Sequence, residues 1–553
     1  MRTLIVSNRL PVTVQEQNGQ TRLVPSSGGL ATALRSLQRR SAGSWIGWPG
    51  DVSSVSEGDR AALHRELGEL GTAPVYLSQT EVSRYYDRFS NGVLWPLCHY
   101  LLDRVRVDAQ RDWVAYRDVN ARFASAVVEQ WRPGDLVWVH DYQLALVPGL
   151  IRALEPRARV GFFLHIPFPA SDVFRILPWR AELLQGLLGA DLVGFQTSAD
   201  ADHFARTVAA VLGLEAERGG VLVGGRCVRF GAYPIGVDVA EIGRTARSEV
   251  VERELLRLRE LAPGKLIVLG VDRLDYTKGV LRRISAIERL LEREPALREK
   301  LHFIQLAVPS REHVDGYVQY RRSVNELVSK VNGRFGTGMS VPIHLLHRGV
   351  SVEDLTALYR AADVMLVTPL RDGMNLVAKE YVAARVDERG VLVLSEFAGA
   401  ARELGEALQV NPYDLEAMAT TIERALAMSP VEQQRRMRAL RARVSSKDVH
   451  AWASEFVSDL AGEPSPSTSL VEDAAEATLE RSVAALRASR HLELLLDYDG
   501  TLVPFASLPP ANRRSRMLTG RQRWWPAGRR SSASAASSFS RTRAPTLSTP
   551  APA

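Results

Sequence analysis

Short, nearly continuous apolar runs alternate along most of this chain with longer stretches whose apolar residues recur at helical spacing. "RTLIVSN", "LVWVHDYQ" (136–143), "RVGFFLHIPFP" (159–169) and "DLVGFQT" (191–197) read as strands running into polar loops. Helical patterns over 119–131 and 143–154 lie among them. "AYPIGVD" (232–238) reads as a crossing point. A second series then begins with "KLIVLGVD" (265–272), "LHFIQLAVP" (301–309), "IHLLH" (343–347), "DVMLVTP" (363–369) and "VLVLSE" (391–396). Helical stretches near 279–294, 312–330, 352–361 and 374–386 separate these strands. Buried strands alternating with helices predict parallel sheets built from βαβ units.

The fold class read from this pattern is α/β, with two Rossmann-like doubly wound domains facing a cleft. Residues 1–238 form the first and 239–461 the second. "GEPSPSTS" lies in a linker over 462–472, a helix-plus-strand fragment covers 473–505, and an aperiodic tail read as disordered covers 506–553. Ligands of such sheets bind beyond the C-terminal strand ends, so the cleft is the expected site.

Composition narrows the classes. A chain of 553 residues, 46% hydrophobic and 24% charged, is long enough for several globular cores. The net charge of +7 invites a nucleic-acid reading, but residues 506–553 hold nine arginines and no Asp, Glu or Lys. Without them the balance is +7 − 9 = −2, so the body is slightly acidic and no nucleic-acid partner is expected. No apolar stretch approaches membrane-spanning length, and the start lacks a signal-peptide core, so no membrane partner is expected either. Two unrelated cysteines, Cys98 and Cys227, fit a cytoplasmic protein.

Candidate chemistry gathers at strand ends. "VDRLDYTKG" (271–279) places Arg273 and Lys278 where two cations suit a diphosphate. The alternative is an ion pair of Arg273 with Asp272 or Asp275. "TPLRDGMNLVAKEYVAA" (368–384) opens a helix whose first turn offers N–H groups to an anion, with Glu380 able to accept sugar hydroxyls. Alternatively, Asp372 or Asn375 only caps that helix, and Glu380 pairs with Lys379 or Arg385. "SNRLP" (7–11) and "PSSGGLATAL" (25–34) leave a strand and enter a helix through Gly28 and Gly29, which also suits an ordinary turn. His140, Asp141 and His165 end neighbouring strands; zinc is the rival to sugar binding, but no thiolate or His-x₃-His spacing supports it. "YYDRFSNGVLWPLCHY" (85–100) reads as an aromatic loop, either core or a sugar platform.

Taken in order, "SNRLP", "SSGGL", "WIGWPG", "YYDRFSNGVLWP", "HDYQL", "HIPFP", "DLVGFQT", "YPIGVD", "DRLDYTKG", "VPSRE", "TPLRDGMNLVAKE" and "SEFAGA" resemble the trehalose-6-phosphate synthase family of retaining glycosyltransferases. The resemblance covers about residues 1–460 and implies the two-Rossmann (GT-B) fold, with a last helix near 446–460 crossing back to the first domain. It implies transfer of glucose from UDP-glucose, a substrate rather than a cofactor, to glucose 6-phosphate. No cofactor or metal is expected, and homo-oligomer formation is left open. Asp141, His165, Arg273, Lys278 and Glu380 are the implied catalytic set. Arg9, Tyr86, Trp95, Asp141 and Arg311 match the acceptor site. Gly28, Gly29, Arg273, Lys278, Asp372, Asn375, Leu376, Val377, Ala378, Lys379 and Glu380 match the donor site, and Val350 falls where the family contacts the base. A sister enzyme using another phosphorylated acceptor, such as glycerol phosphate, is the alternative; a binding protein without turnover is a weaker one.

"LLLDYDGTLVPF" (494–505) resembles the first motif of haloacid-dehalogenase-type phosphatases, with Asp497 as implied nucleophile and Asp499 as acid/base. Such a site also needs a later lysine and further carboxylates, and none follows Phe505. The expectation is a truncated, inactive fragment, its arginine-rich end an out-of-frame product.

Overall fold

The structure is a computed structural model that describes residues 1–462, apart from 18–19, most of 26–42, 54, 56, 218, 310–314 and 338–339. Gly28, Gly29, Arg311, Asp497 and Asp499, with the 473–505 fragment and the tail, lie outside the described residues.

Two sheets carry the described chain. The first contains β1 (Thr3–Arg9), β4 (Trp45–Trp48), β5 (Thr72–Pro74), β6 (Leu136–His140), β7 (Arg159–Phe163), β8 (Leu192–Phe195), β9 (Ala216–Glu217), β10 (Gly220–Val223) and β11 (Arg226–Ala232), in the order β5-β4-β1-β6-β7-β8-β11-β10-β9. The strands from β5 to β11 are parallel, and antiparallel β10 and β9 finish one edge. A separate hairpin, β2 (Val12–Gln17) and β3 (Gln20–Pro25), follows β1. The second sheet is wholly parallel, ordered β14-β13-β12-β15-β16-β17. Its strands are β12 (Leu266–Arg273), β13 (Leu301–Val308), β14 (Ile343–Leu346), β15 (Val364–Val367), β16 (Val391–Ser395) and β17 (Leu408–Val410).

Among the parallel strands each order reverses direction once, between β1 and β6 in the first sheet and between β12 and β15 in the second. Helices leaving those neighbouring strands go to opposite faces, which opens a crevice beyond the strand ends. The strands are apolar because both their faces are covered; β6, β8, β15 and β16 are buried throughout.

The last helix, Val449–Ala461, belongs by packing to the first sheet. Phe456 stacks on Trp138 at 4.5 Å, and Trp452 meets Phe163 edge-on at 5.2 Å. Gly161 and Gly194 leave the necessary room, since a Cβ on either would fall within 2.8 Å of the Phe456 ring. The chain thus crosses between the sheets twice, at 233–238 and again near Lys447, and Gly236 lies directly on the Lys447–Asp448 backbone.

Two expectations change. Residues 85–100 are no loop: Val82–Leu94 form a wide-turned π-helix continued by the α-helical turn Trp95–Cys98. Its inner face carries Tyr85, Phe89, Val93 and Leu94, which hides the helical period behind many aromatic residues. The helix expected over 119–131 begins earlier, at Gln110, because Asp112, Trp113 and Tyr116 already lie on its buried face. No helix of the described residues is long and apolar enough to cross a membrane.

Candidate functional site

On the first sheet, Arg9 is the last residue of β1, at the reversal point. Its guanidinium lies over Trp48, 4.6 Å from the ring centroid, and 5.7 Å from that of Tyr86. An exposed cation flanked by aromatic faces suits a phosphorylated sugar, the rings meeting its apolar face and the arginine its phosphate. The π-helix holding Tyr86 is tied to both reversal-point strands. Tyr85 donates to Asn8 Oδ1 at 3.0 Å, and Tyr142, just after β6, donates to Asn91 Oδ1 at 2.8 Å. Wide helical turns recur at functional sites.

Asp141 leaves β6 with φ +76°, a conformation costly for a residue with a side chain. Its Oδ1 accepts the His165 backbone N–H at 3.2 Å. His165 Nε2 is 3.1 Å from Nδ1 of the fully buried His140, and its Nδ1 is 3.3 Å from Met374 Sδ on the second sheet's side. Burial pushes the His165 imidazole down to about 3, and burial together with His165 pushes His140 well below the ordinary range. Both rings are neutral at pH 7, so they act as hydrogen-bonding groups rather than charges.

On the second sheet, β12 ends in Arg273, which is exposed and lies 5.8 Å from the Trp95 ring centroid. It forms no ion pair among the described residues. Asp272 is taken instead by the fully buried Arg283 (2.6 Å), and Asp275 accepts from Thr277 and Tyr317. The ion-pair alternative for Arg273 is thus not what the fold builds. Gly279 follows with φ +67°, and a Cβ there would lie 2.5 Å from the Thr368 carbonyl oxygen. That contact brings the turn after β12 against the turn after β15. Lys278 Nζ consequently reaches Asp372 Oδ2 at 2.5 Å, and Asn375 Nδ2 shares that oxygen at 3.1 Å. Burial opposes the Asp372 charge, but the Lys278 ammonium outweighs it and holds the carboxyl below its usual range.

Asn375 does cap the helix Leu376–Ala384, accepting from the Ala378 N–H. The N–H groups of Leu376 and Val377 have no carbonyl one turn earlier to bond and point out of the helix start. Glu380 pairs with neither Lys379 nor Arg385; its Oε2 accepts the Tyr359 hydroxyl at 3.0 Å, and burial raises its carboxyl. Lys379 turns inward, bonding Glu403 at 2.7 Å and the Ile235 carbonyl at 2.6 Å, so only its backbone faces the helix start. Val350 packs half-buried on the second core, just before the capping residue Ser351.

The two halves meet across the crevice. A Cβ on Gly373 would lie 2.5 Å from the His165 carbonyl oxygen, and the Arg371 guanidinium sits 4.1 Å above Tyr100. Trp48, His99, Arg283, Tyr359, Arg371 and Glu403 also shape this region and escape sequence reasoning. Trp48, His99 and Arg371 stand inside motifs that mark the site; Arg283, Tyr359 and Glu403 depend on partners far away in sequence. Among the described residues no three His, Cys, Asp or Glu side chains gather as for a metal ion.

Two doubly wound sheets presenting cations, a helix start and aromatic faces to one crevice define a sugar-nucleotide-dependent glycosyltransferase of the two-Rossmann type. The sequence profile of glycosyltransferase family 20 matches residues 1–462, and the chain belongs to that family. It is 45% identical over 525 residues to a bifunctional trehalose-6-phosphate synthase/phosphatase of Thermoproteus tenax, covering 92% of this chain and 70% of that one. It is 46% identical over 470 residues to a trehalose-6-phosphate synthase of Mycolicibacterium smegmatis, covering 83% and 92%. Among solved structures it resembles a UDP-forming α,α-trehalose-phosphate synthase from Burkholderia xenovorans in complex with glucose 6-phosphate. That match has 38% identity and a TM-score of 0.75, over 83% of this chain and 100% of the other.

Proposed function

We propose that this chain transfers glucose from UDP-glucose to glucose 6-phosphate with retention, giving α,α-trehalose 6-phosphate and UDP. The observation that carries this reading is the pairing of two sites at the sheet reversal points. Arg9 with Trp48 and Tyr86 suits a phosphorylated sugar, while Arg273, Lys278 and the start of Leu376–Ala384 suit a nucleotide diphosphate. UDP-glucose is consumed as a substrate, and the reading calls for no cofactor.

Breaking the donor's glycosidic bond places positive charge on the sugar carbon and negative charge on the departing diphosphate. Arg273 and Lys278 stabilise charge that grows only as the bond breaks, which is what lowers the barrier. Lys278 exchanges Asp372 for the diphosphate, while Leu376 and Val377 offer N–H groups. Glu380, held by Tyr359, takes the ribose, and Val350 borders the base. Asp141 and the neutral His165 hold the transferred glucose. Attack comes from the face the leaving group departs, and the leaving phosphate takes the acceptor's proton. Closure of the two halves keeps water from the donor. Arg311, Gly28 and Gly29 keep the roles the family resemblance gives them.

Incubation with UDP-glucose, with and without glucose 6-phosphate, tests the reading. UDP and a phosphorylated disaccharide form only with both. Faster turnover with glycerol phosphate would favour the sister reaction. No phosphate release from trehalose 6-phosphate is expected; its appearance would revive Asp497 and Asp499 as a working site.

A further inference from the structure

His99 closes the turn Trp95–Cys98 and is 3% exposed. Its ring lies against Trp95, centroids 4.2 Å apart, and Nδ1 is 2.7 Å from the Trp95 carbonyl oxygen. A carbonyl can only accept, so Nδ1 carries the proton and donates. Burial keeps the imidazole neutral, with a pKa near 4. A neutral ring has one N–H, so Nε2 presents a bare lone pair, and among the described residues no group bonds it. The charges acting on this ring are Asp372, Asp275 and Lys278, all on the opposite sheet's side of the crevice. The next residue fixes the turn: Tyr100 has φ +61°, its hydroxyl accepts the Ala170 N–H at 2.7 Å, and Arg371 covers its ring.

We infer that His99 is a further substrate-binding residue, its Nε2 accepting a hydrogen bond from a sugar hydroxyl held between Trp95 and the Lys278–Asp372 pair. This rests on the glucosyl-transfer reading above. Nε2 is unpaired among the described residues yet not sealed from the crevice, so a ligand's donor can reach it and complete its hydrogen bonding. Arg273 and Lys278 bring only donors to the crevice near Trp95, whereas a sugar hydroxyl there also donates and needs an acceptor such as Nε2. The stack also makes His99 a positioning residue for the Trp95 face.

The test pairs His99→Phe, which keeps the flat stacked ring, with monodeoxy analogues of both substrates. Wild-type kcat/KM falls about tenfold on the analogue lacking the bonded hydroxyl. H99F is reduced on the full substrates by a similar factor but loses no more than about twofold further on that analogue. His99→Gln, with an amide oxygen, recovers part of the loss. In the wild-type chain labelled with ¹⁵N-histidine, the bare Nε2 resonance shifts on adding UDP with glucose 6-phosphate. Full activity in H99F, equal analogue losses in both proteins, or an unmoved Nε2 resonance would overturn the inference. The glucosyl-transfer reading survives those results, because it falls only if the wild-type chain makes no disaccharide.

Discussion

The Lys278 ammonium sits 2.5 Å from Asp372 Oδ2, joining the turn after β12 to the turn after β15 at the reversal point of the second sheet. The carboxylate holds the cation in place, while Arg273 stands without a counter-charge among the described residues. Arg273→Ala and Lys278→Ala should each lower kcat/KM by about 10²-fold or more, as loss of contacts to developing charge does. Initial rates at saturating glucose 6-phosphate check this, and near-normal turnover in either variant rejects the assignment.

Arg9 belongs to the other half of the reaction. Arg9→Ala should raise the KM for glucose 6-phosphate about tenfold or more and leave that for UDP-glucose within about twofold, since a charge-assisted hydrogen bond contributes roughly 1.5–3 kcal/mol. Parallel substrate titrations separate the two. Equal change in both KM values would place Arg9 in scaffolding instead.

Gly373 is where the donor loop presses on the acceptor half. A Cβ would meet His165 O at 2.5 Å and Ile166 Cα at 2.8 Å, both backbone atoms that cannot swing aside. Gly373→Ala should cut kcat/KM by about tenfold or more by forcing the halves apart, with a stability loss of about 1–3 kcal/mol. Rates and urea unfolding on one preparation show whether both occur.

Arg283 is fully buried beneath the donor turn, bonding Asp272, Gln305, Thr368 and the Lys278 carbonyl. Arg283→Met leaves Asp272 charged and unpaired, so unfolding should become easier by about 3–5 kcal/mol. Burial already raises the Asp272 carboxyl even with its partner present. An unchanged unfolding midpoint would contradict the network.

Acid should weaken the acceptor half through His140 and His165. Their folded values are depressed, so the unfolded chain binds protons from about pH 6.5 downward that the folded chain refuses. Stability is therefore complete above that value and declines toward the folded value of about 3 for His165. Urea unfolding at about pH 7.5 and about pH 5 measures the slope, and His165→Gln should flatten it. An identical slope in the variant would show that other groups dominate.

Much of this was legible in the sequence. Strands such as β6, β12 and β15 are runs of apolar residues because both faces are buried, so the pattern marked them directly. The residues at their ends stood out because polar groups following a buried strand have few structural uses. The π-helix did not stand out, because its wide turns break the usual spacing. The inward pairing of Lys379 stayed hidden for a different reason: its partners, Ile235 and Glu403, lie 144 and 24 positions away, and local pattern says nothing of them. The same holds for Arg283, whose exposure of 0% no cationic side chain advertises in sequence.

The most direct measurement of the central claim is the proton NMR spectrum of the product formed from UDP-glucose and glucose 6-phosphate. Glucosyl transfer with retention gives a non-reducing phosphorylated disaccharide with α configuration at both anomeric carbons, one UDP released for each. A reducing product, a β linkage, or UDP and free glucose without disaccharide would contradict it.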